Sequence, residues 1–423
     1  MAGVQSLSAE NPIATAAQRA VEDRALALLE RPELRRAREI AAMLWRNAVA
    51  YPVGPQMARF DNMIDEYVFW HVLHAAGGDP GDPAFIRISA PPHRWFGRDI
   101  PGSRWGGDSP DFLYRFVPIA HGGRYEIHGR QRSADRLLVA YALMGDNTAA
   151  PATQGLLDSL EMTYDEDGGF VITLDSEPAN GRPNHIQTRP GAEHLLVRDI
   201  LADWQADTPN QLEIHRLDRP DGARLSDETL AQRAAKTLLD GVYYTYYCTR
   251  SGSGQPPNQV RDPLSSGAFG GMATQWGAKG NLQLADDEAF VVTTTAAGAG
   301  FRNVMLSDAF HMSLNYATQT GSFNMRQMAA DADGRFTYVV AHEDPGVHNW
   351  LNTDGLTQTI FGHRWQAFPP GAPHETPTIT TRLVKFSEME EALPAGVVRL
   401  DAAGRRAQIA AREAGFARRF VDK

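Results

Sequence analysis

DEDGGFVITLDSEPANGRPNHIQTRPGAEHLLVRDILADW, from Asp165 to Trp204, and DADGRFTYVVAHEDPGVHNWLNTDGLTQTIFGHRWQ, from Asp331 to Gln366, are two versions of one pattern. Each opens on Asp-x-Asp-Gly, a turn signal, and places a phenylalanine two residues after the glycine. Alternating β residues follow, then a polar loop containing Asn and Thr, then an apolar strand that ends in arginine. Gly168 to Arg198 spans 30 residues, and so does Gly334 to Arg364. Turn, phenylalanine, loop and arginine in one register read as a duplicated β-module.

Outward from these segments the texture stays β-rich. From Phe85 onward, short runs such as AFIRISA, DFLYRFVPIA, RYEIHGR and LEIHRLD alternate with Gly, Pro, Asp and Asn clusters. No helix of crossover length lies between them, so a sandwich or barrel is expected rather than an α/β fold. Residues 15–50 read as helical with a break and fresh start at Pro32 and Glu33, and a second helix runs from about Gln56 to His74 until Gly77 and Gly78 stop it. A third, at about 227–248, has Ser226 as N-cap with Asp227 and Glu228 in its first turn. Ser251 to Gly271 reads as a Gly/Pro/Ser linker. The closing DAAGRRAQIAAREAGFARRF reads as an amphipathic helix, with its arginines solvated and its Ala, Ile and Phe packed on the body.

The expected fold class is therefore α+β, mainly β: two jelly-roll-like β-sandwich modules with flanking and linking helices. The boundaries fall at a helical region 1–80, a first β module 81–220, a linking helix and loop 221–262, a second β module 263–392 and a C-terminal helix 393–423.

The 423 residues carry a net charge of −10, which argues against wholesale nucleic-acid binding. No apolar run approaches a membrane span and no secretory start opens the chain, while a single cysteine, Cys248, leaves no disulfide framework. A cytoplasmic protein is expected, with a homo-oligomer open. The basic residues are uneven, 37 Arg against 4 Lys, giving many forked, permanently charged groups suited to carboxylates.

Two loops concentrate chemistry. Ala341 to Thr353, AHEDPGVHNWLNT, offers His342 and His348 as proton shuttles near neutral pH, with Glu343 to orient them. Tyr316 and Trp350 supply flat walls there, and Arg364 can hold an anion or oxyanion. His342, His348 and Trp350 belong to the second copy alone, so special chemistry is expected on that side, whereas features common to both copies are expected to be scaffold. The other loop, His93 to Phe116, brings Arg104, Trp105, Asp108, Asp111 and Tyr114 together, a mixture suited to an anionic or hydroxylated ring. The competing reading of both is bland: arginines pinned to Asp turns, and Trp350 in the core.

His342, Glu343, Asp344, His348 and His363 also contain a possible 2-His-1-carboxylate set, although no H-x-H or H-E-x-x-H spacing occurs. G-x-S-x-G, P-loop and strand–G-x-G-x-x-G–helix units are absent, and GGMATQWGAKGN has glycines and a lysine at the wrong spacing for phosphates.

GGDSPDFLYRF (Gly106–Phe116), GGRYEIHGR (Gly122–Arg130) and DPGVHNWLNTDG (Asp344–Gly355) followed by Arg364 and Trp365 resemble the motifs of a family catalogued as domain of unknown function 1214, often preceded by its 1254 partner. The resemblance covers most of residues 100–370 and implies a jelly-roll β-sandwich. It brings no settled activity and no catalytic residues. His348 departs from the small or proline-like residue the pattern has before Asn349.

Taken together, these features point to a cofactor-independent lyase or hydrolase, needing no metal, that acts on a small hydroxylated, anionic or aromatic metabolite in a pocket between the two modules. The rivals are a non-catalytic carbohydrate or metabolite binder and a metal-dependent cupin-like enzyme.

Overall fold

The computed structural model describes residues 11–48, 54–104, 107–131, 139–145, 153–218, 225–269, 274–369 and 374–420. Three helices open it: α1 (Ala16–Leu29), α2 (Pro32–Arg46) and α3 (Phe60–Ala76). Thr15 caps α1 by accepting from the Gln18 N–H, and Pro32 starts α2, where its missing N–H costs nothing. A helix apolar on every side must be covered on every side. α3 is such a helix, buried from Phe60 through Leu73 with few gaps, between α1, α2 and the later α4 (Asp227–Ser253). Ser226 caps α4 as expected, and α4 continues past the expected end at residue 248.

The first sandwich contains β4 (Phe112–Pro118), β5 (Tyr125–Arg130), β6 (Val139–Met144), β7 (Thr153–Asp158), β8 (Gly169–Asp175), β9 (His185–Gln187), β10 (His194–Ile200) and β11 (Gln211–Arg216). Before them, β1 (Ile86–Ile88) adds an edge strand to β4, and β2 (His93–Trp95) pairs with β3 (Arg98–Ile100). The second sandwich contains β14 (Trp276–Gln283), β15 (Glu288–Thr294), β16 (Phe301–Ser307), β17 (Ser322–Asn324), β18 (Phe336–Ala341), β19 (Trp350–Asn352), β20 (Gln358–Gln366) and β21 (Ile379–Lys385). The expected linker is not structureless: short β12 (Gln259–Val260) and β13 (Leu264–Ser265) both pair with β14. A short α5 (Met389–Ala392) and the C-terminal α6 (Ala402–Ala417) complete the chain. Among the described residues no helix is long and apolar enough to cross a membrane.

The duplication is visible in the topology. One sheet of the first sandwich runs β4-β10-β6-β7 and the other β11-β5-β8-β9; adding ten to each label gives β14-β20-β16-β17 and β21-β15-β18-β19, the two sheets of the second. Both copies share this connectivity, with a parallel strand, β9 or β19, added beside β8 or β18. Gly168 and Gly334 end the matching turns at φ 76° and 81°, a region where a side chain is strained. Asn184 and Asn349 do identical work. Each accepts from a backbone N–H and donates back to the carbonyl of the same residue, Thr163 in one module and Ala329 in the other.

The two sandwiches meet through the outward faces of their equivalent sheets. Ile86, Ile88, Phe112, Tyr114, Phe116, Ile200 and Ala202 from the first close on Phe301 from the second. α6 seals this seam, and here the expectation of a solvated arginine face is overturned. Arg405, Arg412 and Arg419 are buried, while Ala403, Ala407, Ala410 and Ala414 are exposed. Arg405 and Arg412, seven apart, lie on one face of α6, and Arg419 follows after another seven residues in the turn past its end. Arg412 donates to the Tyr316 carbonyl (3.0 Å) and to Ser322 Oγ (3.0 Å), and it lies over the Trp204 ring. The guanidinium plane suits this position because it stacks on aromatics while its fork satisfies buried carbonyls.

Candidate functional site

A cleft of about 660 Å³ opens between the sandwiches beside α4. Its floor is the outward face of β14, β20 and β16. Strand pairing puts Lys279, Gly362 and Met305 in one row and Gly277, Arg364 and Asn303 in the next. The facing wall comes from the first sandwich, with Phe112 and Tyr114 on β4 and Arg198 on β10. α4 closes one side with Tyr244, Tyr247, Cys248 and Ser251, and exposed Arg261, Asp262 and Leu264 form part of the rim.

The two glycines of the floor matter for what they leave out. A Cβ on Gly362 would meet nothing closer than Met305 at 3.8 Å, and one on Gly277 nothing closer than the His363 carbonyl at 3.6 Å. The floor is therefore bare beside two cations, which leaves room for a ligand rather than for packing.

Arg198 and Arg364 occupy equivalent places. Each sits on the central strand of its sheet, β10 or β20, and is flanked across the ladder by equivalent strands. Because the two sheets face each other, the repeated arginine enters the cleft from both sides. Arg364 donates to the Gly107 carbonyl (3.0 Å) and lies over Phe112, its centre 5.7 Å from the ring, while Arg198 lies over Tyr114. No described carboxylate lies within ion-pair distance of Arg364. Burial pulls the Arg198 guanidinium and the Lys279 ammonium below their usual values, Lys279 to about 8 with Arg364 adding to the effect. Neighbouring cations in a low-dielectric site disfavour each other's charge, and an anion between them would relieve that cost.

His311 closes one end. It sits at φ +67°, in a tight turn held by Asp308, which accepts from the Phe310 and Met312 N–H groups (3.0 Å each) and from Arg59 (2.9 Å). Its ring lies against Gly107, and Nδ1 is buried without a hydrogen-bond partner among the described residues. Burial, with Lys279 and Arg364 nearby, keeps this imidazole neutral at pH 7.

The residues singled out from sequence separate into three groups. Tyr114 and Arg364 line the cleft, and Trp105 lies outside the described residues. Arg104, Asp108 and Asp111 are in the joint beneath the cleft instead of its lining. Arg104 grips buried Glu66 with Nε (3.0 Å) and Nη2 (2.6 Å), and reaches the Ser313 carbonyl (3.1 Å). Gly102 makes that grip possible, since a Cβ there would lie 2.3 Å from the Glu66 carboxyl carbon. Asp108 accepts from Ser313 N–H and Oγ–H, and Asp111 accepts from Trp204, Asn303 and Asn324, tying the modules together.

The third group, from the His-rich loop, lies apart from the cleft lining. His342 Nδ1 is 2.7 Å from Thr353 Oγ1, and His348 Nδ1 is 3.1 Å from Asn349 Oδ1. Glu343 is exposed. The loop is the seat of α6: Arg405 donates to Asp344 (2.9 and 3.1 Å), to the His348 carbonyl and to the Val347 carbonyl, and lies over Trp350. Trp350 is buried and donates to the Ala341 carbonyl, and Tyr316 is buried against Trp204 and Phe416. The 2-His-1-carboxylate set does not assemble. His363 points into its sandwich, its ring tilted against Trp365 with Nε2 3.4 Å from the Tyr338 hydroxyl, and Asp344 is taken by Arg405. Among the described residues no group of three or more His, Cys, Asp or Glu side chains is placed to hold a metal ion.

His311 and the Tyr244–Cys248 face of α4 escaped the sequence reading, and Lys279 was read there only as a lysine at the wrong spacing for phosphates. One signal for Lys279 was present: a lysine between glycines in a chain that otherwise uses arginine.

Fold and cleft together define a class, a tandem β-sandwich protein with a cationic, aromatic-walled cleft between its repeats. A structure of an uncharacterized protein from Burkholderia cenocepacia shares this fold, with a TM-score of 0.71 and 24% identity over 86% of this chain and 99% of that one. A Vibrio parahaemolyticus protein aligns more loosely, with a TM-score of 0.39 and 11% identity over 65% of this chain and 90% of its own. No family model and no curated protein matches the chain.

Proposed function

We propose that the protein is a cofactor-independent enzyme, a lyase or a hydrolase, acting on a small organic anion in the cleft between its two modules. The observation that carries this reading is the convergence of Arg198 and Arg364, repeat-related residues from opposite sandwiches, on one cavity that also holds Lys279. Two guanidinium forks from opposite walls suit a carboxylate better than a single surface arginine does. Phe112, Tyr114, Tyr244 and Tyr247 supply flat apolar area for the rest of the molecule, which favours an aromatic or hydroxylated acid. Neutral His311 can accept or donate a proton, and the cations would stabilise negative charge developing on a reacting oxygen or carbon. The same reading includes a cytoplasmic protein, in line with the single thiol of Cys248, and membership of the 1214 family that its motifs resemble.

Calorimetric titration with aromatic and 2-hydroxy carboxylates tests the binding half. The intact protein should bind at least one such acid, more weakly as salt rises. Arg364→Ala and Arg198→Ala should each weaken it by about tenfold to a hundredfold, the ~1.5–3 kcal/mol of a charge-assisted hydrogen bond. Binding that is untouched in both variants would remove the cleft from consideration. Binding without turnover of any bound acid would favour the non-catalytic metabolite binder.

A further inference from the structure

We propose that Lys279 is a nucleophile, whose amine condenses with the carbonyl of a small 2-oxo acid clamped by Arg198 and Arg364 to form an imine. This rests on the anion-cleft reading above and deepens it by naming the reacting group and the substrate class.

Three independent features converge on Lys279. The first is composition. Of 41 basic residues only four are lysines: Lys236 and Lys385 are surface residues in ion pairs with acids, Lys423 lies outside the described residues, and Lys279 is the one inside the cleft. Arginine stays protonated under any physiological condition, so a position that needs a free amine cannot use the residue this chain otherwise prefers.

Geometry is the second. Lys279 projects from β14 directly opposite Gly362, with Gly277 two residues before it on the same face, so the space beside its amine is not filled by a neighbouring side chain. Its one hydrogen bond among the described residues is long, 3.4 Å to Ser251 Oγ, and no described carboxylate pairs with it. The third is charge. The groups facing it are Arg364 from β20, His311 from the 308–313 turn, Arg261 from the rim, and Cys248 and Tyr244 from α4. Burial raises both the Cys248 thiol and the Tyr244 phenol, so neither supplies a compensating anion at neutral pH. The amine is accordingly pulled down to about 8, chiefly by burial and then by Arg364. Desolvation next to a second cation is a recognised way to free a lysine for carbonyl chemistry.

The step balances without any co-reactant. The amine lone pair attacks the carbonyl carbon, the C–N bond forms, and the C=O π pair moves to oxygen, which takes the proton lost from nitrogen. The carbinolamine then expels its hydroxyl, with one further proton, as water, and the C=N bond remains. The protonated imine withdraws an electron pair from a bond at the adjacent carbon, which is the activation a lyase needs. The substrate carboxylate sits between the guanidinium groups, and its side chain sits against Tyr114 and Phe112.

Reductive trapping on the full-length protein decides the matter. The protein is incubated with glyoxylate, pyruvate or phenylpyruvate, reduced with borohydride, and examined by intact-mass and peptide mass spectrometry. The expected result is one adduct per chain, on the peptide carrying Lys279, with trapping that speeds up as pH rises through about 8. Lys279→Arg and Lys279→Met should each abolish the adduct. Phenyllactate, which has the same shape and no ketone, is titrated in parallel. If phenyllactate binds and no 2-oxo acid is trapped, or the adduct forms on Lys236 or Lys385 instead, the imine proposal fails and the anion cleft stands. If phenyllactate and the 2-oxo acids all fail to bind the intact protein, the cleft reading falls and takes this proposal with it. The wild-type peptide map is decisive even where a Lys279 variant misfolds.

Discussion

Asn349 shows how much of a polar loop can be scaffold. Its amide bridges both backbone groups of Ala329 and the Thr337 carbonyl, and its partner Asn184 repeats the Thr163 bridge in the other module. Asn349→Ala leaves buried backbone groups unpaired and should cost about 2–3 kcal/mol, read from the urea midpoint. His348, its neighbour, places Nδ1 against the Asn349 amide oxygen and its ring near Phe323, and it lies apart from the cleft lining. His348→Ala should therefore leave carboxylate affinity within a few tenths of a kcal/mol by calorimetry; a tenfold loss would return the chemistry to this loop. Arg104→Ala is of a different kind, because it abandons buried Glu66. A cost of about 3–5 kcal/mol is expected from thermal or urea unfolding.

At the scale of elements, β20 does two things at once. Its inward residues, Phe361, His363 and Trp365, fill the sandwich, while outward Gly362 and Arg364 make the cleft floor. Gly362→Val tests this division cleanly. Valine suits a strand better than glycine and meets only Met305 here, so stability should hold or rise by up to about 1 kcal/mol. Its methyl groups would occupy the space beside Lys279, and carboxylate binding should be lost. A variant that binds as the parent does would place the ligand elsewhere. α6 makes the complementary point: a helix with exposed alanines and buried arginines is docked by hydrogen bonds and ring stacking more than by an apolar stripe.

At the scale of the whole molecule, buried imidazoles set the acid limit. Burial lowers His71, His93 and His363 to about 3 and His194 to about 4, and His74 and His311 lie well below the ordinary value. These groups stay neutral when folded and gain protons when unfolded. The stability they contribute is complete above pH ~6.5 and is lost as pH falls from there towards about 3. Burial raises the carboxyls of Glu22, Asp108 and Asp308, which act in the opposite direction and are outnumbered by the six histidines. The urea midpoint should accordingly fall steeply between pH 7 and pH 5. A flat profile over that interval would mean that the histidines are not buried neutral in solution.

The sequence by itself determined the modules. Period-two strands, the Asp-x-Asp-Gly turns and the 30-residue spacing are local signals, and a turn needing positive φ at Gly168 or Gly334 announces itself in the residues that form it. The helix starts at Pro32 and Ser226 were legible for the same reason. What only the tertiary structure decided is which outward faces meet. Repetition suggested that the shared arginine is scaffold and that the residues unique to the second copy are special. Once the two sheets face each other, the shared arginine enters one cavity twice, as Arg198 and Arg364, and the unique histidine loop becomes the seat of α6. Periodicity records which side of an element is apolar; it carries no information about which distant element will cover the other side. That is why the β-sandwich pattern could be read along the chain, while the cleft and Lys279 within it came into view only when the sandwiches were brought together.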